Sequence, residues 1–227
     1  MSATIGRGDP RRPATDFYET PEWCTRAVCR WLKKNACNNM PWEAFDEDGR
    51  GTPMTILDPG AGSGAITRVL HREWPEAAVW AIEVDPKLIQ SIVSGRAEPR
   101  VGVHCIDFLD INNAWPSLCP GQRFDLTVCN PPFSGPHGED YALAFIKRAM
   151  SMSRVGAFLV RLNWLAAAPT PKKRERYEYL KVNPPCVLVL GKRPSFTGKG
   201  TDATEYCWLI WGVLETAGRW ELLDAEV

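Results

Sequence analysis

An α/β fold, with a mostly parallel sheet covered by helices on both faces, is what this sequence predicts. Three observations carry the prediction. Apolar runs of strand length alternate with amphipathic stretches of helix length from residue 54 onwards. A glycine-rich turn directly follows the first run. Successive runs close on an acid or on Asn-Pro, at the strand ends where such sheets bind their ligands.

Composition sets the outer limits. The chain has 227 residues, 44% hydrophobic and 24% charged, as in ordinary globular proteins. Its 27 Lys and Arg balance 27 Asp and Glu, which excludes a general polycation but leaves room for a local basic patch. Eight Cys and three His form no Cys-x-x-Cys pair, so no structural zinc is expected and free thiols in a reducing cytoplasm are. No secretory leader is legible, and no apolar stretch approaches the roughly 20 residues of a membrane span, so a cytoplasmic protein without a membrane partner is expected.

Residues 1–15, rich in Gly, Pro, Arg and Thr, read as a flexible tail, and residues 16–227 as a single domain. From Pro21, the spacing of Trp23, Ala27, Val28, Trp31 and Leu32 makes one apolar helical face. Residues 38–53 read as a loop with a solvated acidic cluster. A first strand over 54–57 ends at Asp58, the turn Gly60-Ala61-Gly62-Ser63-Gly64 follows, and a helix runs to about Trp74. A second strand (77–82), a helix opened by Pro86 (86–94) and a third strand (101–106) come next. The fourth strand (124–129) is stopped by Asn130-Pro131-Pro132-Phe133. A helix (141–152), a fifth strand (156–162), a charged helix (172–181) and strands six (186–190) and seven (205–213) complete the chain.

The glycines let the backbone turn tightly and a ligand approach it closely. Asp58 before them would repel a pyrophosphate and suits a cationic amino group, and the Gly-Lys-Ser/Thr of a phosphate loop is missing. S-adenosylmethionine, which has an amino-acid end, a sulfonium and a nucleoside but no phosphate, fits that pattern. Glu83 lies about twenty residues past the glycines, where an acid can reach ribose hydroxyls. Asp107 could accept from an adenine amino group and Phe108 could cover the ring, while Asp85 reads as a helix cap.

With Asn130 to Phe133 the sequence resembles the amino-methyltransferases of the class I S-adenosylmethionine-dependent superfamily, and most closely the DNA N6-adenine methyltransferases. The resemblance covers nearly the whole chain. Asp16-Phe17-Tyr18-Glu19-Thr20-Pro21 is similar to their N-terminal cofactor motif, and Leu57 to Gly64, Glu83 and Asp107 are similar to their next three. Arg193-Pro194-Ser195-Phe196-Thr197-Gly198 and Thr204-Glu205-Tyr206-Cys207-Trp208 resemble the C-terminal segment of small phage-type adenine methyltransferases. The resemblance implies a Rossmann-like class I methyltransferase, seven strands with the last antiparallel; many DNA adenine methyltransferases carry a large extra domain that reads sequence, but no insertion here exceeds a loop or one helix, so no separate target-recognition domain is expected. It implies a cofactor set of Tyr18, Thr20, Pro21, Asp58, Gly60, Gly62, Glu83, Asp107, Phe108 and Asn130, with S-adenosylhomocysteine as the product and no metal.

An exocyclic amine on adenine is a poor nucleophile because its lone pair is delocalised into the ring. The Asn130 side-chain oxygen and the Pro131 carbonyl are the implied acceptors that would hold it out of the ring. Pro132 stiffens the turn and Phe133 stacks on a flipped-out base. Between residues 171 and 200, Lys172, Lys173, Arg174, Arg176, Lys181, Lys192, Arg193 and Lys199 face only Glu175 and Glu178. Phosphate contact, chiefly by Lys172, Lys173, Arg174 and Arg193, and a merely solvated helix face are both open readings. Phe196 is either a second wall of the base pocket or core, and Trp208 and Trp211 are expected in the core. DNA is the leading substrate. Adenine in RNA and a protein glutamine amide are the alternatives, though glutamine enzymes usually carry Tyr where Phe133 stands.

Overall fold

The structure is a computed structural model; it describes residues 19–39, 44–45, 51–94, 100–110, 123–135, 138–167, 173–196, 200–213 and 215–224. The expected tail, Tyr18 and Lys172 lie outside the described residues. In chain order the elements are α1 (Glu22–Asn39), β1 (Ala44–Phe45), β2 (Gly51–Thr52), β3 (Thr55–Pro59), α2 (Ala65–Glu73), β4 (Ala78–Glu83), α3 (Pro86–Ser94) and β5 (Val101–Cys105). Then come β6 (Phe124–Cys129), α4 (Tyr141–Met152), β7 (Ser153–Arg161), a 3-10 turn (Leu162–Leu165), α5 (Arg174–Val182), β8 (Cys186–Leu190), β9 (Tyr206–Trp211) and β10 (Trp220–Leu223).

One eight-stranded sheet has the order β10-β8-β9-β7-β6-β3-β4-β5. Every neighbouring pair is parallel except those of β9, which runs against both β7 and β8. The seven expected strands are β3 to β9, with the seventh antiparallel as expected. Among the described residues the count is corrected to eight. β10 has only four residues and three of them are exposed, including Trp220 and Leu222, so no inward-facing period marks it. The two-residue ladder of β1 and β2 inside the expected 38–53 loop is likewise too short to leave a periodic signal.

Alternation along β7 and β9 divides the core between the two faces of the sheet. Val155, Ala157 and Leu159, with Tyr206, Trp208 and Ile210, pack on the side of α1 and α2. Phe158 and Val160, with Cys207, Leu209 and Trp211, pack on the side of α4. All six residues of β9 are buried, which explains its unbroken apolar sequence. Trp208 is fully buried and its indole N–H donates to the Cys24 carbonyl at 3.1 Å, fixing α1 to the sheet. Trp31 donates to Glu221 at 2.8 Å and fastens the edge strand β10 to the same helix.

The topology decides where a ligand can sit. From β3 the chain builds outward through β4 and β5, then returns to the other side of β3 with β6 and β7. The strand order therefore reverses between β3 and β6. All five of these strands point their carboxyl ends the same way and leave a crevice at the reversal.

Candidate active site

A cavity of about 560 Å³ opens at that crevice. One half is framed by the turn after β3. Gly60 (φ 76°) and Gly62 (φ 58°) adopt left-handed backbone, and a Cβ on Gly60 would lie 3.3 Å from the Phe145 ring. The N–H groups of Gly60 and Ala61 both donate to the Ile82 carbonyl at 2.8 Å, so the turn is bound to β4.

Glu83, the last residue of β4, knits this half together. One carboxylate oxygen accepts from the Gly62 N–H at 2.8 Å; the other accepts from Val84 and Asp85 at 2.8 and 2.9 Å. Asp85 also accepts from the Lys87 N–H at 2.9 Å, the expected cap of α3. Asp107 lines the cavity after β5 and accepts from the Leu109 N–H, which fixes its side chain in a local turn. The Phe108 ring beside it stands 5.1 Å from Phe145 and carries the Arg148 guanidinium at 5.4 Å. Burial lowers the pKa of Arg148, and the charges of Asp107 and Asp110 act the other way.

Glu19, Glu83, Asp85 and Asp107 all line this cavity, and no Lys, Arg or His does so among the described residues. Such a wall disfavours a phosphate-bearing ligand and fits one that carries a positive charge. The residues present therefore fit S-adenosylmethionine: carboxylates for its cationic and hydroxyl groups, an open glycine backbone, and Phe108 for its flat base.

Asp58 stands beneath the cavity and not in its wall. It is fully buried; one oxygen accepts from Thr67 at 2.6 Å and the other has no hydrogen-bond partner. Burial pushes its carboxyl up to about 7, against the lowering effect of the Thr67 hydrogen bonds. Between about pH 4, where the unfolded chain ionises this group, and about pH 7, the folded protein keeps a proton that the unfolded chain has lost. Stability from this group is thus present below that window and lost as pH rises through it. Asp58→Asn should melt like the wild type at about pH 4 and at a higher temperature by about pH 8 in cofactor-free thermal scans. A gap that does not change with pH would contradict this.

The other half of the cavity belongs to the turn from Asn130 to Phe133. Asn130 follows β6, and its amide nitrogen donates to the Thr20 hydroxyl at 3.0 Å. The side-chain oxygen is thereby left as the acceptor for a guest. Pro131 is buried, Pro132 and Phe133 line the cavity, and Phe196, Tyr141 and Tyr206 add aromatic wall. Cys129 is fully buried, its thiol donates to the Pro59 carbonyl at 2.6 Å, and burial raises its pKa. It is a strand residue, as expected.

A model of the methyltransferase small domain matches residues 42–163, more than half of the chain. The chain belongs to the methyltransferase small domain family. Across 101 residues it is 39% identical to the tRNA1(Val) (adenine(37)-N6)-methyltransferase of Porphyromonas gingivalis, covering 41% of this chain and 39% of that protein. Across 170 residues it is 26% identical to the release factor glutamine methyltransferase of Koribacter versatilis, covering 62% and 59% respectively. The chain thus spans less than two thirds of either curated relative. Among solved structures, a proposed RNA methyltransferase from Pyrococcus horikoshii superposes with a TM-score of 0.57 at 16% identity, over 86% of this chain and 85% of that one. The family match and the superposition agree on a methyltransferase fold.

In this family member the structure brings Thr20, Gly60, Gly62, Glu83, Asp107, Phe108, Asn130, Pro131, Pro132, Phe133 and Phe196 into one cavity wall. Pro21 stands beside Thr20 without lining the cavity, and its carbonyl accepts from the Cys24 N–H in the first turn of α1. Trp208 and Trp211 are core, as expected. Arg161, and Tyr206 as more than a member of the C-terminal segment, were not among the expected site residues. Their signal was position: both lie where β7 ends and β9 begins, at the same sheet edge as the acids.

The basic stretch divides. Lys173 and Arg174 are exposed where α5 begins, on the connection leaving the carboxyl end of β7. Arg193 follows the carboxyl end of β8, which runs the same way as β7, and it pairs with Glu205. These residues share the cavity's edge of the sheet, whereas Lys181 lies at the far end of α5. Arg176 requires a correction. It is buried, 3.1 Å from Asp140 and 4.8 Å above the Trp164 ring, so it holds α5 to the N-terminus of α4 and cannot serve a phosphate. Arg176→Met should destabilise the fold by about 2 kcal/mol in urea unfolding, because Asp140 loses a charged partner. Arg174→Ser should leave stability nearly unchanged.

Proposed function

We propose that this chain transfers a methyl group to the N6 amino group of adenine in DNA. The observation that carries this reading is the position of Asn130: its side chain meets the cavity inside an enclosure of flat aromatic walls, Phe133, Phe196 and Tyr206. An aromatic enclosure suits a planar base better than the flexible side chain of glutamine. The resemblance of the segment from Arg193 to Trp208 to small phage-type adenine methyltransferases favours DNA. Adenine in RNA is the second reading, favoured by the tRNA adenine-N6 methyltransferase relative.

S-adenosylmethionine, when bound, supplies an electrophilic methyl on a sulfonium. The chain's residues do the rest by positioning. Glu83 and Asp107 would hold the nucleoside hydroxyls and amine, with Phe108 against the cofactor's base. Asp58 would act on the glycine turn from below through Thr67 and α2. Asn130, held by Thr20, and the Pro131 carbonyl would accept the two hydrogens of the target amine. Its lone pair then stays out of the ring. Phe133 and Phe196 would flank the base and exclude water. Lys173, Arg174 and Arg193 would contact phosphates at the rim, sequence-independently.

Incubation with methyl-labelled S-adenosylmethionine and, in parallel, duplex DNA, total RNA and a protein lysate tests the proposal. Label in DNA is expected. Label in RNA alone selects the second reading, and label in protein alone overturns both.

A further inference from the structure

We propose that Arg161 is a positioning residue for the reaction: held by Tyr206 and Asp202, its guanidinium fixes the Phe133 ring as the platform on which the target base lies. The proposal rests on the adenine reading above. Arg161 ends β7 and Tyr206 opens β9, and the two are partners across the antiparallel ladder. The Arg161 Nε–H donates to the Tyr206 hydroxyl at 3.1 Å, and that hydroxyl donates to Asp202 at 2.7 Å. Asp202 in turn gives its N–H to the Pro194 carbonyl at 2.8 Å, which ties the chain to the segment bearing Phe196. The guanidinium carbon lies 5.1 Å from the centre of the Phe133 ring, and the Phe196 and Tyr206 rings are 4.9 Å apart.

Phe133 needs such support. Two prolines stiffen the backbone before it and both core clusters touch its half-buried ring, but the side that lines the cavity is left for a guest. A ring that must be ordered when the base arrives adds that cost to the transition state. Arg161 does not line the cavity, so it can act on a guest only through the residues it touches. Tyr206 is 3% exposed, and burial raises the pKa of its hydroxyl, which keeps it a neutral donor to Asp202 throughout the physiological range. The planar fork of Arg lies over a ring while donating to a neighbour, and the point charge of Lys does not reproduce both interactions.

The test compares Arg161→Lys, Phe133→Leu and the double variant. Arg161→Lys is expected to lower kcat about tenfold, because a Phe133 ring held less firmly must be ordered on the way to the transition state. Cofactor affinity and the KM for nucleic acid should stay within about twofold, because the acid wall holds the cofactor and phosphate contacts at the rim dominate nucleic-acid affinity. In the Phe133→Leu background the same Lys substitution should change kcat less than about twofold. An unchanged kcat in Arg161→Lys, or effects that multiply independently, would overturn the proposal. Fluorine NMR of a fluorophenylalanine placed at position 133 reads the ring without any substrate. One sharp line in the otherwise native protein and a broadened or split line with Arg161→Lys are expected; identical lines overturn the proposal. If neither DNA nor RNA is methylated, the adenine reading falls, while the fluorine spectra still decide whether Arg161 holds the ring.

Discussion

Replacing Asn130 with Ala is expected to lower methyl transfer by about 10²–10³-fold, the range seen when a preorganised polar group is removed from a site of charge development. The amine becomes nucleophilic only as its nitrogen leaves the ring plane, and acceptors that grip its hydrogens stabilise that geometry more than the flat ground state. Asn130 is well placed for this: Thr20 occupies its amide nitrogen and leaves its oxygen to the cavity. Glu83 and the glycine turn frame the other half of the cavity and do not depend on Asn130. The Kd of S-adenosylmethionine measured by calorimetry should therefore change only a few fold. Loss of cofactor binding together with turnover would place Asn130 in the wrong half.

Glu83→Ala carries the second large effect, and it falls on the cofactor. The Glu83 carboxylate receives three backbone N–H groups, from Gly62, Val84 and Asp85, and in the proposed complex it receives ribose hydroxyls as well. Hydrogen bonds to a charged group contribute about 1.5–3 kcal/mol each. Water regains part of that in the variant, so a net loss of about 3 kcal/mol, or about 100-fold in Kd, is expected. Glu83→Gln keeps the shape and one acceptor oxygen and should lose about tenfold. Thermal melts of both variants separate a loosened turn from a missing ligand hydrogen bond. Unchanged affinity in Glu83→Ala would move the cofactor away from the end of β4.

Much of this was legible in the sequence, for physical reasons. Strands buried on both faces leave unbroken apolar runs, as in Tyr206–Trp211, and turns that must adopt left-handed backbone leave glycines, as at Gly60 and Gly62. Residues at the carboxyl ends of parallel strands converge whatever their separation along the chain, which is how Glu83, Asp107 and Asn130 came together. β10 was not legible, because an exposed edge strand of four residues has no inward period. Nor was the role of Arg176. Composition marks a cation, but only the fold shows Asp140 and Trp164 beside it. Asp58 has the motif's position but lies below the cavity, because its side chain faces Thr67 of α2 in the buried interior. The clasp of Arg161, Tyr206 and Asp202 joins parts of the chain 45 residues apart, and no local pattern announces it.

The most direct test is the chemical identity of the methylated product. Duplex DNA incubated with the protein and methyl-labelled S-adenosylmethionine is digested to nucleosides and analysed by mass spectrometry. N6-methyl-2′-deoxyadenosine carrying the label, and absent when Asn130→Ala replaces the wild type, is the predicted result. Label found only on another base, or only on protein glutamine with nucleic acid unmodified in parallel reactions, would contradict it.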